Sequence, residues 1–219
     1  ASVTIDPNNS NTVWVGTGEN NNQRSVAYGD GVYKSTDAGK SWKNVGLKTS
    51  EHIGNIIVDP NNSEIVYVSA YGPLWSSGGE RGVYKTVDGG NNWNRILNID
   101  EHTGFNEIHM DPKDSRVLYA TAHQRRRHVY TYVGGGPGSG IYKSTDAGNS
   151  WKKINKGLPS VEIGRIGMDI SPVDNNVLYA IVEAADRKGG FYKSVDMGES
   201  WTKQSGKVTS GNYYQEIFA

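Results

Sequence analysis

Cysteine is absent from this 219-residue chain. That excludes a disulfide framework, a cysteine nucleophile and thiolate metal ligands. Neither sign of charge dominates: 23 basic and 23 acidic residues leave no long-range field to attract nucleic acid or an anionic membrane. No apolar run is long enough to span a bilayer, which excludes direct membrane insertion by a helix. No basic-apolar-small leader opens the sequence. The five histidines show no metal-ligand spacing, so neither a metal nor a cofactor is expected. The glycine-rich run 134–140 lacks the Gly-Lys-Ser/Thr and following helix of a phosphate loop.

What is present suits an all-β chain with many turns: six Trp, thirteen Tyr and 28 Gly, with no convincing helical period. A sizeable core can form at this length. One box of eight residues occurs four times, at 35–42, 86–93, 144–151 and 194–201. Each carries Asp, Gly and Trp in fixed places: Asp37, Gly39 and Trp42; Asp88, Gly90 and Trp93; Asp146, Gly148 and Trp151; Asp196, Gly198 and Trp201. Each follows a Gly-apolar-aromatic-Lys strand. The Asp positions are 51, 58 and 50 residues apart, and a second marker, an Asp-Pro or Ser-Pro turn after a β-branched run, recurs in phase. A period of about 40–50 residues with four short strands per unit is the mark of propeller blades. The spacing predicts blades at about 1–47, 48–98, 99–157 and 158–206, with 207–219 starting a fifth. Four units and a lone strand suggest part of a ring of six to eight blades, completed by further blades or by other chains.

The turn chemistry predicts a structural role for the boxes. The Asp accepts bonds from turn N–H groups, the Gly supplies a positive φ, and the Trp folds back over its hairpin. One Asp per hairpin lacks the ligand count of a hard cation.

Ser/Thr-x-Asp-x-Gly-x-x-Trp resembles the Asp-box, or BNR, repeat of sialidases, xyloglucanase-like glycoside hydrolases and sortilin/Vps10 propellers. The Asp-Pro-Asn-Asn turns and the phrase Gly-Val-Tyr-Lys-Ser-Thr-Asp look most like large secreted bacterial proteins labelled glycosyl hydrolase or sortilin-like. The resemblance implies a β-propeller located outside the bacterial cytoplasm: secreted, periplasmic or on the cell surface. It implies little about activity, because the box serves unrelated functions.

Strand parity places the Asp boxes and Asp-Pro turns on one face and the loops joining second to third strands on the other. Those loops, 18–30, 71–81, 123–139 and 183–189, are long and differ between units, so binding is expected there. Glu19, His123, Gln124 and Glu183 should project at the funnel. Arg24, Asp30, Trp75, Glu80, Arg81, Arg125, Arg126 and Arg127 lie in the loops above. Asp30 and Arg81 are placed to pair between blades, and the arginine run reads as a rim, an inter-loop clamp or a ligand site. Trp75, Tyr130 and Tyr132 offer ring faces, and arginine offers a fork for carboxylate.

Three functions fit this pattern. A non-catalytic propeller would bind a glycan or a polypeptide over the loop face. A glycoside hydrolase would need two carboxyl groups across the scissile bond, with Glu19 and Glu183 the best placed; neither the sialidase nor the xyloglucanase-like catalytic pattern is evident. A purely architectural propeller would bind only neighbouring domains.

Overall fold

The computed structural model describes residues 2–219. Four antiparallel sheets of four strands each succeed one another along the chain. The first comprises β1 (Ser2–Asp6), β2 (Asn9–Gly16), β3 (Val32–Ser35) and β4 (Lys43–Gly46). The second comprises β5 (Ile53–Asp59), β6 (Asn62–Ala70), β7 (Gly82–Thr86) and β8 (Asn94–Leu97). The third has β9 (Thr103–Met110), β10 (Leu118–Gln124), β13 (Gly140–Ser144) and β14 (Lys152–Lys153). The fourth has β15 (Ile163–Ile170), β16 (Leu178–Ala184), β17 (Gly190–Ser194) and β18 (Thr202–Ser205). Between β10 and β13 a small hairpin forms from β11 (Arg126–Arg127) and β12 (Tyr132–Val133). A single 3-10 turn, Ala185–Arg187, lies in the fourth loop. Each sheet pairs its strands in chain order, the up-and-down arrangement of a propeller blade, and the four together make an open part of a ring.

The apolar core lies between sheets rather than within one. Trp14, Val32, Ile56 and Val68 pack the first sheet on the second. Tyr67, Phe105, Ile108 and Tyr142 join the second and third. Tyr119, Ile141, Met168 and Trp201 join the third and fourth. Trp14, fully buried, meets Trp93 of the next blade edge-on, with ring centroids 6.3 Å apart. The first strands sit innermost and approach closely. A side chain at Gly104 would collide with the Tyr71 carbonyl, so glycine is required there.

The four boxes share one geometry. In the third, Ser144 Oγ donates to Asp146 Oδ1 at 2.8 Å and accepts from Gly148 N at 2.9 Å. Asp146 then accepts from Ser150 N and Ser150 Oγ, at 2.8 and 2.6 Å. Hydrogen bonds from the residue four places on hold the carboxyls of Asp37, Asp88, Asp146 and Asp196 down at about 2. The residue after each Asp has positive φ, including Ala38 (60°), Ala147 (58°) and Met197 (55°). Its carbonyl is thereby turned toward the preceding blade. There Lys34 donates to Gly89, Lys85 to Ala147 and Lys143 to Met197, at 3.0, 3.0 and 2.9 Å. In the first three sheets the strand-three lysine of the motif is therefore an inter-blade latch, lying over an aromatic ring of its own sheet.

Two expectations change. Trp42 and Trp151 bond the carbonyl of their own turn, but Trp93 and Trp201 reach back to Val45 and Ile154 of the preceding blade. Residues 213–219, read as a first strand, form no ladder. They nevertheless pack on β15: Gln215 is buried and donates to the Arg165 carbonyl, and Ala219 N donates to Asp169 Oδ2.

Candidate functional site

The irregular loops gather opposite the boxes. The hairpin joining each first strand to its second bonds a box, as in Ala38 N to Asn11 O and Met197 N to Asn176 O. The loops after the second strands bond the blade-to-blade connections instead, as in Gly29 N to Glu51 O and Arg125 N to His102 O.

At the ends of the second strands, register makes Tyr71, His123 and Glu183 equivalent, since Ala70, Ala122 and Val182 pair with Gly82, Gly140 and Gly190. Tyr71 and His123 are fully buried, and Tyr71 OH shares a short hydrogen bond with His123 Nδ1. Burial first, then the Arg125 and Arg165 charges, hold His123 far below the usual imidazole range. His52, on the connection beside it, is held down at about 3, by burial first and then Arg125. Glu183 is half-buried and accepts from Arg165 N at 3.2 Å; burial raises its carboxyl. It lines a cleft of about 460 Å³ with Tyr132, Gly134, Gly135 and Glu162.

The arginines behave as a clamp. Arg125 lies over the Tyr71 ring at 3.3 Å and donates to Asn21 O, Asn22 Oδ1 and Gly72 O, at 3.3, 2.6 and 3.1 Å. Arg127 lies over Tyr132 at 4.6 Å and donates to Asn22 O at 2.6 and 3.2 Å. Arg81 donates to the carbonyls of Tyr71, Pro73, Ser76 and Gly78. The Asp30–Arg81 pair does not form: Asp30 accepts from Tyr33 OH at 2.7 Å, while Arg81 is folded into its own loop. Arg165 escaped sequence reading because it sits mid-strand without a motif. It is fully buried and donates to Asn20 O and Tyr213 O. Residues 20–22 of the first loop thus lie across the mouth as a plug.

The remaining candidates stand around it. Glu19 is exposed and accepts from Ala27 N at 2.8 Å, bracing its own loop. Glu80 accepts from Thr49 N and Thr49 Oγ1, and Gln124 accepts from Gly138 N. Arg24 is exposed and Arg126 half-buried. Tyr28, Trp75 and Tyr130 are 74%, 41% and 86% exposed, and Tyr130 stacks on His128 with centroids 5.9 Å apart.

Below the plug, the inner strands border a second cavity of about 350 Å³ whose lining includes Asn20, Arg165, Glu107, His109, Asp169 and Glu216. His109 lies between two carboxylates, 3.3 Å from Glu107 Oε2 and 3.7 Å from Asp169 Oδ1. Sequence reading passed over this trio, although Glu107 and His109, two apart on a strand, share a face. Part of its role is structural. Glu107 Oε2 accepts Met168 N at 2.8 Å, as Asn55 Oδ1 accepts Ile108 N one blade earlier. Among the described residues, no group of three or more His, Cys, Asp or Glu could hold a metal ion, and no helix is long and apolar enough to cross a membrane.

The sortilin family model (Sortilin-Vps10; sortilin, neurotensin receptor 3) matches residues 30–136, so the chain contains a Vps10/sortilin-like segment. No curated protein matches the sequence. Among solved structures, it is similar to the GH74 xyloglucanase from Xanthomonas campestris, with TM-score 0.68, 16% identity and coverage of 92% of this chain and 29% of that one. It is also similar to the GH74 enzyme of Niastella koreensis, with TM-score 0.67, 20% identity and coverage of 93% and 29%. YCF48 from Cyanidioschyzon merolae matches with TM-score 0.53, 16% identity and coverage of 95% and 56%. The chain spans less than a third of each GH74 enzyme. These likenesses establish the Asp-box propeller fold, which catalytic and other proteins share.

Proposed function

We propose that the chain is a non-catalytic binding propeller of a secreted, periplasmic or cell-surface bacterial protein, holding an extended glycan or polypeptide across its loop face. One observation carries the reading. Tyr28, Trp75 and Tyr130 leave ring surface open to solvent on the irregular face, Tyr130 on the side away from His128, while the polar groups of the mouth beneath are tied to the loops themselves. Exposed aromatic faces over a rigid scaffold suit stacking on sugar rings or on peptide side chains. Parallel glycan-array and peptide-array screens test it. Trp75→Ala and Tyr130→Ala should each weaken capture of whichever ligand binds by about 5–10-fold, the worth of one aromatic contact. Unchanged capture by both variants would refute the surface.

A glycoside-hydrolase reading draws support from Glu183 alone. Its carboxyl is raised by burial, and it lines a cleft with Glu162, as a general acid requires. A reducing-sugar assay on the wild type and Glu183→Gln decides this. Turnover abolished in the variant would establish hydrolysis; turnover absent from both leaves the binding reading in place.

A further inference from the structure

Arg81, Arg125 and Arg165 are at most 1% exposed, and Arg127 is 8% exposed. Among the described residues, the only carboxylate within 4 Å of any of these guanidiniums is Glu216, 3.9 Å from Arg165 Nη2. Glu183, although adjacent, accepts from the Arg165 backbone N–H. The guanidiniums bond neutral backbone carbonyls and two side-chain amide oxygens instead, those of Asn22 and Asn212. Even so, Arg125 Nε and Arg165 Nε and Nη2 are buried without an acceptor. Taking a cation out of water costs several kcal/mol, and carbonyl dipoles recover only part of it. The mouth therefore holds positive charge in excess and buried donors without acceptors.

The plug supplies three successive backbone carbonyls to this cluster: Asn20 to Arg165, Asn21 to Arg125 and Asn22 to Arg127. On its other side it is tied by Asn22 N to Asn212 O and Asn22 Nδ2 to Gly211 O, both 2.9 Å. Its neutral oxygens stand where charged ones would bond the same donors about twice as strongly.

We propose that the mouth is an anion site, that its ligand is a carboxylate-bearing oligosaccharide, and that residues 20–22 are a plug which the ligand's carboxylates displace from Arg125, Arg127 and Arg165. The proposal rests on the loop-face binding reading and specifies the charge of what binds there. A planar carboxylate fits the guanidinium fork. The open ring surfaces of Trp75 and Tyr130 on the same face offer platforms on which the pyranose rings of such a chain can stack, and an acidic peptide is the competing ligand that the titration below separates from it.

Isothermal titration of the 219-residue chain with oligogalacturonate, a neutral cello-oligosaccharide of equal length and oligoglutamate tests it, each at low and physiological salt. Oligogalacturonate should bind at least ~10-fold tighter than the neutral sugar and weaken as salt rises. Arg127→Gln should lose ~10-fold or more, the worth of a charge-assisted bond. Asn22→Ala, which removes the side-chain bonds to Arg125 and Gly211, should tighten oligogalacturonate binding several-fold by freeing the plug. A variant that merely damaged the fold would weaken it. Equal binding of acidic and neutral sugars would overturn the anion site and leave the loop-face reading intact, whereas no sugar binding would remove the glycan form of both. Tighter binding of oligoglutamate than of oligogalacturonate would overturn the ligand class. Unchanged or weaker binding by Asn22→Ala would overturn the plug.

Discussion

The two ends of this propeller segment satisfy their polar groups in opposite ways. At the box end, a short acidic side chain is surrounded by local donors, and the same bonds recur four times. At the loop end, long basic side chains reach backbone carbonyls, across blades from Arg125, Arg127 and Arg165 but within its own loop from Arg81, and no two blades use them alike. The first solution is local and modular, so it can be copied. The second depends on which loops meet, so it is specific to this molecule and leaves charge unbalanced. The comparison separates a scaffold from the face that can acquire a ligand.

The largest effect that would sharpen this contrast lies in the core beneath a box. Trp201 is 4% exposed and bonds the preceding blade, so Trp201→Ala should cost about 3–5 kcal/mol in urea unfolding. Trp75 at the other end, 41% exposed, should cost no more than about 0.5 kcal/mol when replaced by Ala. Comparable losses would erase the distinction between girder and surface.

Acid should then separate the ends. His52 and His123 are held below the ordinary imidazole value of 6.5. The unfolded chain therefore takes up their protons first, and stability falls as pH drops below that value, for His52 down to about 3. The box carboxyls are held at about 2 against an ordinary 3.8. Their stabilisation is complete above the ordinary value and is lost only as pH falls through about 2. Hydrogen exchange between pH 7 and 5, corrected for intrinsic rates, should show the loop end opening while the box turns stay protected. His52→Gln should flatten that dependence; simultaneous opening of both ends would contradict the assignment.

The smallest effect concerns the latches. Lys85→Met should cost about 1 kcal/mol, the worth of one hydrogen bond, because it removes the bond to Ala147 O. Lys193→Met should cost less. Lys193 lies over Tyr179 at 5.8 Å and has no hydrogen-bond acceptor among the described residues.

Sequence reading reached the scaffold and stopped at the mouth for the same physical reason. The box fixes its own conformation through bonds spanning two to four residues, so Asp37 and its equivalents announce the hairpin wherever they occur. The latch was written in the motif's lysine, but its acceptor lies 54 to 62 residues away and becomes visible only in space. Arg125 bonds residues 103 and 104 positions distant, and Arg165 bonds one 145 away. No local pattern encodes such partners. The arginine run was therefore readable as charge but not as a clamp, and the expected Asp30–Arg81 pair gave way to nearer carbonyl acceptors.

The most direct test of the division between scaffold and binding face is hydrogen–deuterium exchange on the protein with and without the tightest-binding array ligand. Protection is expected in loops 18–30, 71–81 and 123–139, with no change in the boxes at 35–42, 86–93, 144–151 and 194–201. Protection confined to those boxes would contradict it.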